Sequence, residues 1–300
     1  MKKNIRLNKY RLRNQFAYWS ILPTVLLILT VFAFPVFFNI IISFTNMDSD
    51  FDFINSDYVG ISNYVNEFKD RDFQKTLLQN IWWTVAVLAF SLIIGLALAT
   101  FLQDHKLGKF FLNIWLIPWA MPEVIAAIMW VLILHPDFGP LNYLLINLHI
   151  ISKPLPWLTS VNFAMWGVII VGVWKIFPFH MAMVYAGLQT FPEELRDAAK
   201  VDGANGWQLF WYVQLPWIRP VISIVSLLGF IWIFNWFSLL YTMTKGGPGD
   251  ATKILPIHIY QKALKFFHFS EASTLSVITL IFMVPLIIIY IQYQLGRRNR

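Results

Sequence analysis

The 300 residues are 58% hydrophobic and only 13% charged, against roughly 25% charged in a soluble domain. With a mean hydropathy of +0.59 and 14 Trp, 27 Phe and 11 Tyr, this excludes a soluble two-domain enzyme and a disordered chain. Zero cysteines exclude disulfides, thiolate zinc sites and cysteine nucleophiles, and the net charge of +7 shows no basic stripe interleaved with stacking aromatics, so no nucleic-acid partner is expected.

A helix needs about 20 apolar residues to cross a hydrocarbon core of ~30 Å. Six segments meet that length, which predicts an all-α integral membrane protein. A basic N-terminal segment covers 1–17. The spans then run Tyr18–Phe44, Ile81–Leu102, Phe111–Leu134, Phe163–Leu188, Ile218–Tyr241 and Leu275–Tyr293, all within 18–293, and a basic tail covers 294–300. The first span is too long for the apolar core of a signal peptide and lacks a small-x-small exit, so it is read as retained.

Lys2, Lys3, Arg6, Lys9, Arg11 and Arg13 precede the first span, and Arg297, Arg298 and Arg300 follow the last. Lys106, Lys109, Arg196, Lys200 and Arg219 fall on the same side, which places both termini in the cytoplasm. The first outer loop is acidic, with Asp48, Asp50, Asp52, Asp57, Glu67, Asp70 and Asp72. The last outer loop, 242–274, runs against the trend with Lys245, Lys253, Lys262 and Lys265. Its stretch Ala251–Phe269 mixes apolar residues with Lys and His and is expected to lie along the outer membrane face.

Polar groups at membrane depth are functional candidates by default. They are Glu123 in the third span, Lys175 in the fourth, and Asn235 beside Trp236 in the fifth. Lys175 is either a substrate donor or the ion-pair partner of Glu123, whereas His180 is read as a packing residue.

The loop 190–216 between the fourth and fifth spans reads as two short helices. Thr190 and Glu193 form a capping-box pattern around Pro192, Gly203 or Gly206 ends the first helix, and Pro216 closes the second. No Gly-x-x-x-x-Gly-Lys-Ser/Thr occurs; Gly108-Lys109 is followed by Phe110, so the chain has no phosphate-cradling loop. Neither His-Glu-x-x-His nor Gly-x-Ser-x-Gly is present, which argues against a membrane enzyme.

Asp197-Ala-Ala-Lys-Val-Asp-Gly203, followed by Leu215-Pro216, resembles the EAA loop in permease subunits of binding-protein-dependent ABC importers. Asp197 stands where Glu is usual, keeping the charge but shortening its reach. Phe234 through Gly246-Gly247-Pro248, and Pro118-Trp-Ala-Met-Pro122 with Gly139-Pro-Leu-Asn142 beyond it, resemble the carbohydrate-uptake branch of that family, similar to its larger maltose-type permease without the extra domains. The resemblance covers nearly the whole chain. It implies a type I importer core in the inner membrane of a bacterium, forming half of a path for a sugar or oligosaccharide.

The resemblance further implies a second homologous permease, two ATPase subunits that hold ATP and Mg, and an extracellular solute-binding protein, with no cofactor on this chain. It puts ATPase docking at Glu193, Glu194, Asp197, Ala198, Ala199 and Gly203. Stepping back from the motifs places substrate contacts at Gly172, Lys175, Ile176 and Phe179 and at Gly229, Ile233 and Trp236, with Asn235 and Glu123 alongside. A permease for glycerol phosphate or a polyol is the nearest alternative. An ion-coupled secondary transporter is a further one, although it leaves the EAA-like loop unexplained.

Overall fold

The structure, a computed structural model, describes residues 18–47 and 56–298. The basic residues of 1–17, Arg300, and Asp48, Asp50 and Asp52 lie outside the described residues. In chain order the helices are α1 Tyr18–Ile42, α2 Ser62–Lys69, α3 Arg71–Leu102, α4 Gly108–Ala120, α5 Glu123–Ile133 and α6 Pro140–Asn147. They continue as α7 Val161–Leu188, α8 Glu193–Val201, α9 Gly206–Phe234, α10 Phe237–Thr244, α11 Leu255–Tyr260 and α12 Phe269–Arg298. The only bridge among the described residues joins Thr45 to Tyr58. Among the described residues five helices are long and apolar enough to cross a membrane, and the bent pair α4–α5 brings the number to six when counted as one span.

Two of the apolar runs are interrupted. The third span is broken between α4 and α5 by a 93° bend at Met121–Pro122. Proline has no N–H to continue the ladder and disfavours helical geometry in the residue before it, and Met121 is accordingly extended, at φ −65° and ψ 142°. The fifth span begins earlier and ends earlier than expected, because α9 stops at Phe234 and α10 restarts after Asn235 and Trp236. Pro216 does not close a separate loop helix. It sits in a continuous helix from Gly206 to Phe234, after a π-helical turn at Leu209–Gln214.

The chain forms two units. One comprises residues up to Phe68 together with Gln261–Leu280. In it, Asn63 Nδ2 donates to the carbonyls of Ser43 (3.0 Å) and Thr45 (2.7 Å), closing the end of α1. Lys262 pairs with Glu271 and, at 3.7 Å, with buried Glu67.

The other unit comprises Lys69–Tyr260 and the chain from Ile281 onward. Its centre is α7, apolar on every side, a pattern that marks a fully surrounded helix. It packs along α3, and α9 crosses both. Trp83 and Val87 of α3, Val168, Ile169 and Val171 of α7, Leu239 and Leu240 of α10, and Ile254 and Ile257 form one core. A second cluster gathers Ala99, Met181, Val184, Leu188 and Ile218.

The outer stretch after α10 corrects an expectation. Ile254, Leu255 and Ile257 are fully buried inside this unit rather than lying along the membrane surface; Leu264, Phe266 and Phe267 are the exposed ones. Lys253 is buried between Asp72 (2.8 Å) and Asp250 (3.1 Å). Its charge is therefore neutralised locally, which is why it can oppose the charge bias of its side.

Candidate functional site

Both helix breaks leave carbonyls without intrahelical partners, and each unsatisfied group is costly at membrane depth. At the end of α9, Trp83 Nε1 donates to the Ile233 carbonyl (3.0 Å) and Asn80 Nδ2 to that of Phe234 (3.4 Å). Asn80 Oδ1 in turn accepts the Leu255 N–H (3.2 Å). At the end of α4, Lys175 Nζ donates to the carbonyls of Pro118 (2.8 Å), Trp119 (2.8 Å) and Met121 (2.5 Å). Lys175 is 4% exposed, and the cation also suits the negative end of the helix dipole.

Between the two breaks lies a cavity of about 670 Å³. The α4–α5 break contributes Trp119, Met121, Pro122 and Glu123; α7 contributes Lys175 and Ile176. The α9–α10 break contributes Ile231, Trp232, Asn235, Trp236, Phe237 and Ser238. Asn235 Nδ2 donates to the Ile231 carbonyl (2.9 Å) and to Met283 Sδ (3.2 Å). Trp236 is 9% exposed, and its buried Nε1 has no hydrogen-bond partner.

Of the residues predicted for the path, Lys175, Glu123, Ile176, Asn235 and Trp236 thus share one cavity. No ion pair joins Lys175 to Glu123, since the ammonium is turned onto backbone instead. Phe179 is not in the wall but holds it, stacking on Trp119 (5.8 Å) and tilting against Trp232 (4.9 Å). Ile233 is a correction, because it is fully buried in the core and outside the cavity lining. Gly172 and Gly229 are also packing positions. A Cβ at 229 would stand 2.6 Å from His180 Nε2, and one at 172 would stand 2.5 Å from the Trp83 ring. Trp119, Met121, Pro122, Trp232 and Ser238 were not singled out from the sequence, although all of them lie in or beside the Pro118–Pro122 and Phe234–Pro248 motifs.

The loop at the opposite end has the first of the two predicted short helices, while the second is the opening of α9, and the caps differ from those expected. The expected box at Thr190 does not form; Thr190 Oγ1 bonds back to the Gly187 carbonyl (2.8 Å), and α8 starts after Pro192. The capping box is at Asn205 and Gln208, opening α9. Of the two candidate glycines, Gly203, at φ +83°, ends α8. Gly203 N–H reaches the Lys200 carbonyl (3.0 Å) and Ala204 N–H that of Ala199 (2.9 Å), the paired bonds of a Schellman turn. Glu193, Glu194, Asp197, Ala198 and Gly203 are exposed and Ala199 is half-buried. Arg196 pairs with Asp104, tying α8 to the end of α3.

Residues 91–299 match the family model of binding-protein-dependent transport system inner membrane components. The chain belongs to this family.

Relatives of this permease agree along its whole length. It is 31% identical over 276 residues to the inner membrane ABC transporter permease protein YcjO of Escherichia coli, covering 91% of this chain and 92% of that one. It is 30% identical over 296 residues to the trehalose/maltose transport system permease protein MalF of Thermococcus litoralis, covering 97% of each. A chain of a bacterial ABC transporter involved in import of the acidic polysaccharide alginate superposes with a TM-score of 0.83 at 20% identity, over 98% of this chain and 99% of that one. That likeness shows the fold, a type I importer permease core. The permease is an integral membrane component of a binding-protein-dependent transport system, and its relatives include one named for trehalose and maltose.

Proposed function

We propose that this permease forms one half of the path of an ATP-driven importer for a sugar or oligosaccharide. It spans the cytoplasmic membrane of a bacterial cell with both termini inside. The observation that supports the saccharide reading most is the cavity between the helix breaks, where indoles meet a few convergent polar groups at membrane depth. The kinship with a permease named for trehalose and maltose points the same way.

In this reading a second, homologous permease supplies the other half, and an extracellular solute-binding protein delivers the ligand. Two separate ATPase subunits hold ATP and Mg, and this chain binds no cofactor. Glu193, Glu194, Asp197, Ala198, Ala199 and Gly203 dock on the ATPase. The open surface of α8 and its small residues suit a close approach by a partner backbone.

Two measurements on the reconstituted complex test the proposal. Uptake into vesicles is expected to follow ATP and to ignore imposed proton or sodium gradients. A Gly203→Leu, Ala199→Trp double variant is expected to remain in the assembled complex, by size-exclusion chromatography, yet lose uptake. Normal uptake by that assembled variant refutes docking at α8.

A further inference from the structure

The wall of the cavity carries two charged side chains, Lys175 and Glu123, and they are not equally available to a ligand. An ammonium has three N–H donors. All three of those on Lys175 have carbonyl partners, at 2.8, 2.8 and 2.5 Å. These carbonyls form the negative end of α4, so the cation is compensated where it stands. Glu123 opens α5 and has no ion pair among the described residues. Its carboxylate lines the cavity with no ion pair to hold it, and the Lys175 ammonium, spent on backbone carbonyls, acts on it only through space.

The remaining polar atoms extend the asymmetry. The Asn235 amide nitrogen is engaged with Ile231 and Met283, which leaves its oxygen as an acceptor. Trp236 Nε1 is a buried donor in want of a partner, and the Ser238 hydroxyl can act either way. A hydroxyl both donates and accepts, so a polyhydroxylated ligand can satisfy Glu123, Asn235 and Ser238 together. A carboxylate or phosphate brings acceptors only and meets a like charge at Glu123. Trp119 and Trp232 add flat apolar faces that suit the C–H face of a sugar ring.

Resting on the saccharide reading above, we infer that this half of the path selects uncharged, hydroxyl-rich ligands and turns away uronates and sugar phosphates, with Glu123 as the residue that discriminates.

The chain has no cysteine, so a single introduced thiol reports on the cavity alone. Ser238→Cys, with Asn235→Cys as a second reporter, is assembled with the partner subunits in detergent. It is labelled with cationic trimethylammonioethyl and anionic sulfonatoethyl methanethiosulfonate, the unsubstituted complex giving the background. After division by each reagent's rate with a free thiol, the cation is expected to react at least about tenfold faster than the anion. Glu123→Gln is expected to bring the two rates within about threefold of each other. Equal rates, a faster anion, or a ratio unmoved by Glu123→Gln overturns the inference, as does a thiol unreactive to both reagents at both positions.

Added maltotriose is expected to slow the labelling, and trigalacturonate is not. Protection by trigalacturonate overturns the inference. An intact charge ratio with protection by neither sugar removes the saccharide reading and leaves the exclusion of anions standing.

Discussion

Lys175 is nearly inaccessible in the middle of an apolar helix, a position tolerated only when a cation is fully partnered. Its three acceptors make it a brace for the broken third span as well as part of the cavity wall. Lys175→Met would keep the length and apolar bulk of the side chain while stranding three carbonyls. A loss of about 3 kcal/mol is expected, read as a lower unfolding midpoint of the purified complex. Glu123→Gln removes no such bond and is expected to leave the midpoint in place. The sequence marks Lys175 as exceptional because an ionisable group interrupts an apolar run. It does not show what the lysine binds, because the acceptors are backbone atoms more than fifty positions away, bared by a bend. An ion pair with Glu123 is one of the alternatives that the side chains leave open, and backbone carbonyls take the ammonium instead. Trp83 has the same kind of partner, the carbonyl of Ile233, and carries no polar signature to betray it.

Among the helices, hydropathy locates all six spans but not their interruptions, since an apolar run reads the same whether straight or bent. The proline pair around Trp119 marks the first break. Asn235 marks the second, ending α9 without any proline. Caps are legible only in part. A glycine ends α8, because a left-handed residue there calls for one, but the sequence leaves Gly203 and Gly206 open and the structure selects Gly203. Thr190 turns back onto the preceding helix, and the true box forms at Asn205. Besides its packing on the start of α9, α8 is tied to the end of α3 by the pair Arg196–Asp104, which no local pattern reveals because its members are 92 residues apart. The pair is partly exposed, so its worth is at most about 1 kcal/mol. Asp104→Arg is accordingly expected to leave the unfolding midpoint unchanged and to speed amide exchange severalfold in α8 but not in α7. The reversed pair, Asp104→Arg with Arg196→Asp, is expected to restore slow exchange.

At the scale of the whole molecule, the spans differ sharply in how much protein surrounds them. Of the most apolar stretch of α7, 72% is buried, against 6% for α1. The interior of the larger unit is thus organised around one helix that carries both Lys175 and the buried His180. Crossing it is α9, which runs unbroken for 29 residues from the capping box at Asn205 to the cavity edge at Phe234. Leu209→Gly together with Val213→Gly would soften that rod near its Asn205 end at about 1 kcal/mol for each glycine. Uptake is expected to fall severalfold while ATP hydrolysis by the assembled complex persists, as measured side by side in vesicles. At 1.5 Å per residue the rod is about 43 Å long, so each degree of tilt at its base sweeps the tip by about 0.8 Å. A lever of that length needs only a small pivot near its base, where the π-helical turn at Leu209–Gln214 lies, to open or shut a gap several ångströms wide at its far end.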